Sequence, residues 1–185
     1  MHTLHWIATK AKDRQEAFDI VTVSLMPNED GNRMADWSDW HVVGGGRWSD
    51  RAITKADSAY QNSSDMIISY AEKPDEFKKT IENIKRYRIN YMNDKLIKLD
   101  NAFDNLKSDV VDYISNDCKL DDKRQFDFSR WEIKEAIDML NSQWTCDSAF
   151  FDHNEFTSSL QYIEERLDKP EEAALHYLVP VDFHF

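Results

Sequence analysis

Between Phe77 and Ile114 the chain contains neither proline nor glycine, and its apolar residues fall at Ile81, Ile84, Tyr91, Leu99, Phe103, Leu106, Val110 and Tyr113. That spacing predicts an α-helix of roughly ten turns, because a 3.6-residue period returns every third or fourth residue to one side. Anything else in the chain must fold around a rod of that length. A strict heptad would turn it into a coiled-coil seam, but Arg88 and Lys95 occupy core slots and the phase slips by one residue between Tyr91 and Leu99. The expectation is therefore a long helix packed on its own domain, bent or broken near Asn93. Its start is marked by Pro74, suited to the first helical position, with Asp75 and Glu76 placed to complement the positive end of the helix dipole.

Two further helices carry capping-box spacings. Ser129 with Glu132 precedes Trp131, Ile133, Ile137, Leu140 and Trp144, and Asp152 with Glu155 precedes Phe156, Leu160, Ile163 and Leu167, with Pro170 ending the second. Both ends of the chain read differently. Residues 3–9, TLHWIAT, alternate Leu4, Trp6 and Ala8 against Thr3, His5, Ile7 and Thr9 as a strand does, and WHVV at 40–43 extends likewise. Asp13 with Glu16 opens a short helix through Ala17, Ile20, Val21 and Leu25, which MPNEDGN stops. In residues 52–72 the run DMIISYA is readable as strand or helix. The terminal ALHYLVPVDFHF is a strand expected to pair with the first one, carrying Val181, Phe183 and Phe185 on one face and Asp182 and His184 on the other.

The fold class is α+β: a small antiparallel or mixed sheet from the N- and C-terminal strands, with a large helical insertion. The expected domain limits are 1–72 plus 173–185 for the sheet domain and 73–172 for the helical subdomain. A length of 185 residues suffices for a well-buried core. No run of eighteen apolar residues and no signal-peptide pattern occur, so the expected location is the cytoplasm, with Cys118 and Cys146 as reduced thiols.

Charge is unevenly spread. The net charge of −12 divides into −4 over residues 1–72, +4 over 73–98 and −12 over 99–185. Such an acidic C-terminal half repels phosphate backbones, which argues against nucleic acid as a partner. It serves either solubility or recognition of a basic protein surface, for which Asp121, Asp122, Glu164 and Glu165 are the candidate contacts.

Chemistry-bearing residues concentrate in DWSDWHVVGGGRWSD, residues 36–50. Successive Gly44, Gly45 and Gly46 can present backbone N–H groups as an anion nest, Arg47 can fork onto a phosphate or carboxylate, and Trp37, Trp40 or Trp48 can stack on a planar ring, with His41 among them. The segment matches neither the P-loop nor the dinucleotide fingerprint. A second cluster forms if the terminal strands pair: His5, Asp182 and His184, which would offer ligands for a divalent metal or an acid–base pair. The cysteine spacing argues against a zinc site, and no cofactor is expected.

DWHVVGGGRWSD, preceded by MPNEDGN and closed by YLVPVDFHF, resembles a family of phage-borne proteins of uncharacterised activity with a Gly-Gly-Arg-Trp turn and a terminal Val-Asp-x-His strand. The match covers the two ends of the chain, which departs by an extra glycine and by Asp50 where a small residue is expected. The resemblance implies a virus-encoded accessory protein acting in the bacterial cytoplasm.

Three functions follow as expectations. The first is a binding protein of phage type that engages a host protein through its acidic half, in host takeover or counter-defence. The alternative is a nucleotide- or anion-binding protein using Gly44–Trp48. The third is a phosphodiesterase or other hydrolase using His184 and Asp182, with Arg47 as the clamp.

Overall fold

The computed structural model describes residues 2–27, 29, 31, 38–48, 66–115, 130–134, 137, 148–154 and 159–184, with the backbone alone for Arg47, Asp112, Tyr113 and 148–151. Their elements run β1 (His2–Lys10), α1 (Arg14–Ser24), β2 (Trp40–Val43), β3 (Ile68–Ser69), α2 (Pro74–Ser115), β4 (Ser148–Asp152), α3 (Gln161–Leu167), α4 (Pro170–Ala173) and β5 (His176–His184). Residues 130–134 are also helical. The architecture is α+β, the terminal strands pairing as the sequence predicts.

Among the described residues the sheet has five strands in the order β2-β5-β1-β4, with β3 also bonded to β5. β1 and β5 run antiparallel in full register from His2 opposite His184 to Lys10 opposite His176. β2 pairs with the last residues of β5 and β3 with Leu178 and Tyr177, both antiparallel, whereas β4 lies parallel to β1. The sheet is thus mixed. β4 was absent from the sequence reading, and Asp152, expected to cap a helix, instead ends this strand. Its Oδ1 accepts the backbone N–H of Asn154 at 2.8 Å, the short-range bond of an Asx turn.

β5 is a central strand with proline inside it, where a missing N–H would break the ladder. The register explains how it is tolerated. Even-numbered residues of β5 turn their main-chain groups toward β2 and β3, as Asp39 N–H to His184 O (2.8 Å) and Tyr70 N–H to His176 O (3.1 Å) show. Pro180 falls between the stretches paired to β2 and β3, so it interrupts neither ladder. Its carbonyl accepts the N–H groups of both Gly44 and Gly45, at 2.8 and 3.0 Å. The glycine turn therefore closes the notch that the proline leaves.

Both sheet faces are covered. On the face carrying Ala8, Ile68 and Leu178, the first turns of α2 insert Phe77, Ile81 and Ile84, with Ile163 of α3 and Ala173 of α4 completing the core. Phe77, Ile81, Ile84 and Ile163 each stabilise the fold by about 1.5–3 kcal/mol on full burial. α1 lies against β1, β2 and β5 and buries Ala17, Val21 and Leu25. Asp13 caps it, accepting Glu16 N–H at 2.8 Å, while Glu16 reaches back to the N–H of Lys12 at 2.6 Å. Tyr177, of opposite strand parity to Leu178, donates its hydroxyl to Lys12 O at 3.4 Å, on the α1 side.

Contacts divide the chain into two compact units, residues 1–86 with 146–185, and residues 87–145. The sequence placed the limits at 72 and 173; they differ because Phe77, Ile81 and Ile84 belong to the sheet's core and β4 to the sheet itself. α2 is one helix of 42 residues, unbroken through Asn93. Lys95, which the sequence argument counted against a coiled-coil seam, is buried with its ammonium 5.0 Å over the Tyr91 ring, a cation–π contact that offsets its desolvation. Pro170 does not end α3; that helix stops at Leu167, and Pro170 opens α4 at its first position. The Ser129 and Glu155 caps, with Phe156, Leu140 and Trp144, lie outside the described residues, as do Cys118 and Cys146.

Candidate functional site

The antiparallel pairing of the chain's two ends places the beginning of β1, the end of β5 and the beginning of β2 side by side. His2 and Trp40 both pair with His184, so all three side chains rise on one face, and Asp182, two residues back, rises with them. His2 Nδ1 and Asp182 Oδ1 are 2.9 Å apart, the carboxylate being fully buried. A carboxylate only accepts, so Nδ1–H donates, and Nε2 is the His2 nitrogen that can exchange a proton. The His184 ring stacks on Trp40 at 5.1 Å and 9°, and His2 meets both edge-on, at 4.9 Å from His184 and 5.2 Å from Trp40. Asp39 Oδ2 is 3.4 Å from His184 Nδ1, which has no hydrogen-bond partner among the described residues. The His184 side chain is 32% exposed, so the stack is open to solvent.

The glycine turn abuts this cluster. Gly44, Gly45 and Gly46 all have positive φ, at 94°, 95° and 46°. A Cβ on Gly46 would lie 2.8 Å from Asp182 Cβ, 2.9 Å from its Oδ2 and 3.0 Å from Val42 Cβ, so glycine at this position lets the main chain approach the buried carboxylate. Trp48 ends the turn through N–H to Gly45 O at 2.8 Å and is exposed. With the amides of Gly44 and Gly45 committed to Pro180 O, these two are not directed at an anion, contrary to the nest that the sequence suggested.

Of the residues singled out from sequence, Trp40, Gly46, Asp182 and His184 come together. His5 does not join them. It pairs with Val181, of the opposite strand parity, and is buried on the α1 side with Nε2 3.2 Å from Thr3 Oγ1 and its ring 4.9 Å from Phe183. His41 shares that opposite face, tilted against Phe183 at 5.7 Å. Trp37, the Arg47 side chain, Asp121 and Asp122 lie outside the described residues. Glu164 and Glu165, on α3, bond within the chain: Lys85 Nζ donates to Glu164 at 2.7 Å and Gln161 Nε2 to Glu165 at 2.9 Å.

Sequence reasoning missed His2 and Asp39. Strand parity held the signal for His2, since it alternates with Leu4 and Trp6 rather than with His5, but only the register tells which parity meets Asp182. The hydrolase expectation required Asp182 and His184 on the side of the sheet that bears Arg47's turn, and the contact of Gly46 with Asp182 puts the backbone of that turn there.

A second buried histidine, His176, sits apart from this cluster under α3. Its Nδ1 donates to Glu172 O at 2.8 Å, and its Nε2 is 3.2 Å from the Tyr162 hydroxyl, which donates to it in the neutral ring. Burial lowers its pKa, against the opposing pull of the Glu172 carbonyl. That pairing makes His176 a structural histidine.

Among the described residues no three His, Cys, Asp or Glu are grouped to hold a metal ion, and no helix is long and apolar enough to cross a membrane. Comparison of the chain with protein-family models, with curated proteins and with solved structures finds no match.

Proposed function

We propose that this chain binds a small planar ligand bearing an anionic group, of the nucleotide class, at the end of the sheet where His2, Trp40, Asp182 and His184 converge. The observation that carries the reading is the Trp40–His184 stack, held edge-on by a histidine that a buried carboxylate anchors. Two parallel rings with one partly open to solvent extend naturally to a third ring, and offset stacking adds to the area buried. The His184 imidazole supplies an N–H donor for the anion, in place of the glycine amides that Pro180 occupies. Titration with nucleotides followed by tryptophan fluorescence tests it: saturable quenching, weakened by Trp40→Ala and by His184→Ala, supports the reading. Absence of any response at millimolar concentration sinks it.

A second reading is recognition of a basic protein surface by the acid-rich half, supported by the net charge of −12, all of it accounted for by residues 99–185. On this reading, and with what the resemblance implies, the chain is a viral accessory protein acting on a host protein in the bacterial cytoplasm. Glu164 and Glu165 already bond within the chain, so Asp121 and Asp122 are the acids to test. Their amide variants should slow association with the partner, as should added salt. Association that responds to neither would leave the acids as a solubility feature.

A further inference from the structure

His2 and His184 are held alike. Each turns its Nδ1 to a carboxylate, His2 to the fully buried Asp182 at 2.9 Å and His184 to Asp39 at 3.4 Å. Nδ1 of His184 is buried, whereas neither Nε2 is buried or hydrogen-bonded among the described residues. That orientation sets what each ring can do. A neutral His2 with its proton on Nδ1, facing Asp182, carries a lone pair on Nε2, and a protonated His184 with Nδ1–H toward Asp39 carries an N–H on Nε2. The rings lie 4.9 Å apart and meet at 69°, close enough to reach different oxygens of one phosphate. Binding alone calls for a platform and a donor. A carboxylate behind Nδ1 of each ring is what proton transfer at Nε2 calls for, because it fixes the tautomer and stabilises the imidazolium.

We propose, resting on the nucleotide-class reading above, that the site also cleaves its ligand: it hydrolyses a nucleotide phosphodiester, with His2 as general base and His184 as general acid. His2 Nε2 takes a proton from a water molecule as the water oxygen forms a bond to phosphorus. The bond from phosphorus to the leaving oxygen breaks with its electron pair on that oxygen, which His184 Nε2–H protonates. The products are a phosphomonoester and an alcohol. His2 is left protonated and His184 neutral, and one proton lost to solvent by the first and one gained from solvent by the second restore the starting pair. Asp182 touches His2 rather than the substrate and is a positioning residue. Charge selects the diester: Asp39 and Asp182 stand beside the site in a chain of net charge −12, so a singly charged diester meets less repulsion than a doubly charged monoester. The same repulsion favours release of the product. An alcohol leaving group also needs the proton that His184 supplies, so a diester uses both histidines.

Phosphorus NMR of the 2′,3′ and 3′,5′ isomers of cyclic AMP, incubated with the intact chain in heavy-oxygen water, reads the step. The expected result is conversion of at least one isomer to a monoester that carries one heavy oxygen on phosphorus. His2→Gln should slow that conversion by about a hundredfold or more, the usual contribution of a general base, while the nucleotide still quenches tryptophan fluorescence because Trp40 and His184 remain. Asp182→Asn is the second variant should circular dichroism show that the first misfolds. It should lower kcat by about tenfold or more and leave KM within about twofold, a split that general loss of structure does not produce. Conversion that survives His2→Gln undiminished overturns the proposal. So does a wild-type chain that binds these nucleotides and forms no monoester, a result that leaves the binding reading standing. A chain that neither binds nor cleaves them overturns both.

Discussion

His2 Nδ1 lies 2.9 Å from Asp182 Oδ1, joining the second residue of the chain to a position 180 residues later. The bond is made between a mostly buried imidazole and a fully buried carboxylate, so each group has given up water for it. Hydrogen bonds to charged groups are worth about 1.5–3 kcal/mol. Asp182→Ala should therefore lower the unfolding free energy by about that amount, and Asp182→Asn, which still accepts from His2, by less. Urea denaturation followed by circular dichroism measures both, and equal losses in the two variants would show that the bond contributes nothing.

Gly46→Ala and Gly31→Ala make a controlled pair. Both glycines have positive φ, but a Cβ at Gly31 meets nothing within 4 Å, whereas at Gly46 it reaches 2.8 Å from Asp182 Cβ. The backbone cost of such a conformation in an L-residue is about 1–2 kcal/mol. Gly31→Ala should show no more than that cost, and Gly46→Ala clearly more, with loss of the ring contacts above Asp182. Similar thermal stability for the two variants would mean that the turn yields without disturbing the carboxylate.

The pairing of the chain ends and the α1 cap were legible because each rests on local rules: alternation at 3–9, the Asp13–Glu16 spacing, and the extended run before the C-terminus. β4 was not, since five residues running parallel to β1 carry no period long enough to read and their partner is far away in sequence. The site was half legible. Composition drew attention to Trp40, Gly46, Asp182 and His184, but choosing His5 over His2 was a register question, and parity within one strand does not answer it. The turn at Gly44–Gly46 was visible as flexible backbone, yet its cause lies at Pro180, a position 134 residues beyond Gly46 that no local window includes.

Stability should fall in mild acid. Burial holds the pKa of His176 below the ordinary histidine value, and burial does the same for His153. In the unfolded chain both titrate near 6.5, so as pH falls through about 6.5 the unfolded state takes up protons that the folded state resists, and the stability present at higher pH is lost progressively down to the folded values. Denaturation midpoints measured between pH 7.5 and pH 5 should decline, and His176→Gln, which cannot titrate, should flatten the profile. A decline of the same steepness in that variant would assign the effect elsewhere.

The measurement closest to the central claim is calorimetric titration of the intact chain with a set of nucleotides, repeated on Trp40→Ala, His184→Ala and His41→Ala. Trp40 and His184 form the stack at the open end of the sheet, while His41, two positions from Asp39 on the adjoining strand, turns to the opposite face. The account predicts one saturable site in the wild type, lost or much weakened in Trp40→Ala and His184→Ala and retained in His41→Ala. Binding that survives both of the first two substitutions, or is absent from the wild type throughout, contradicts it.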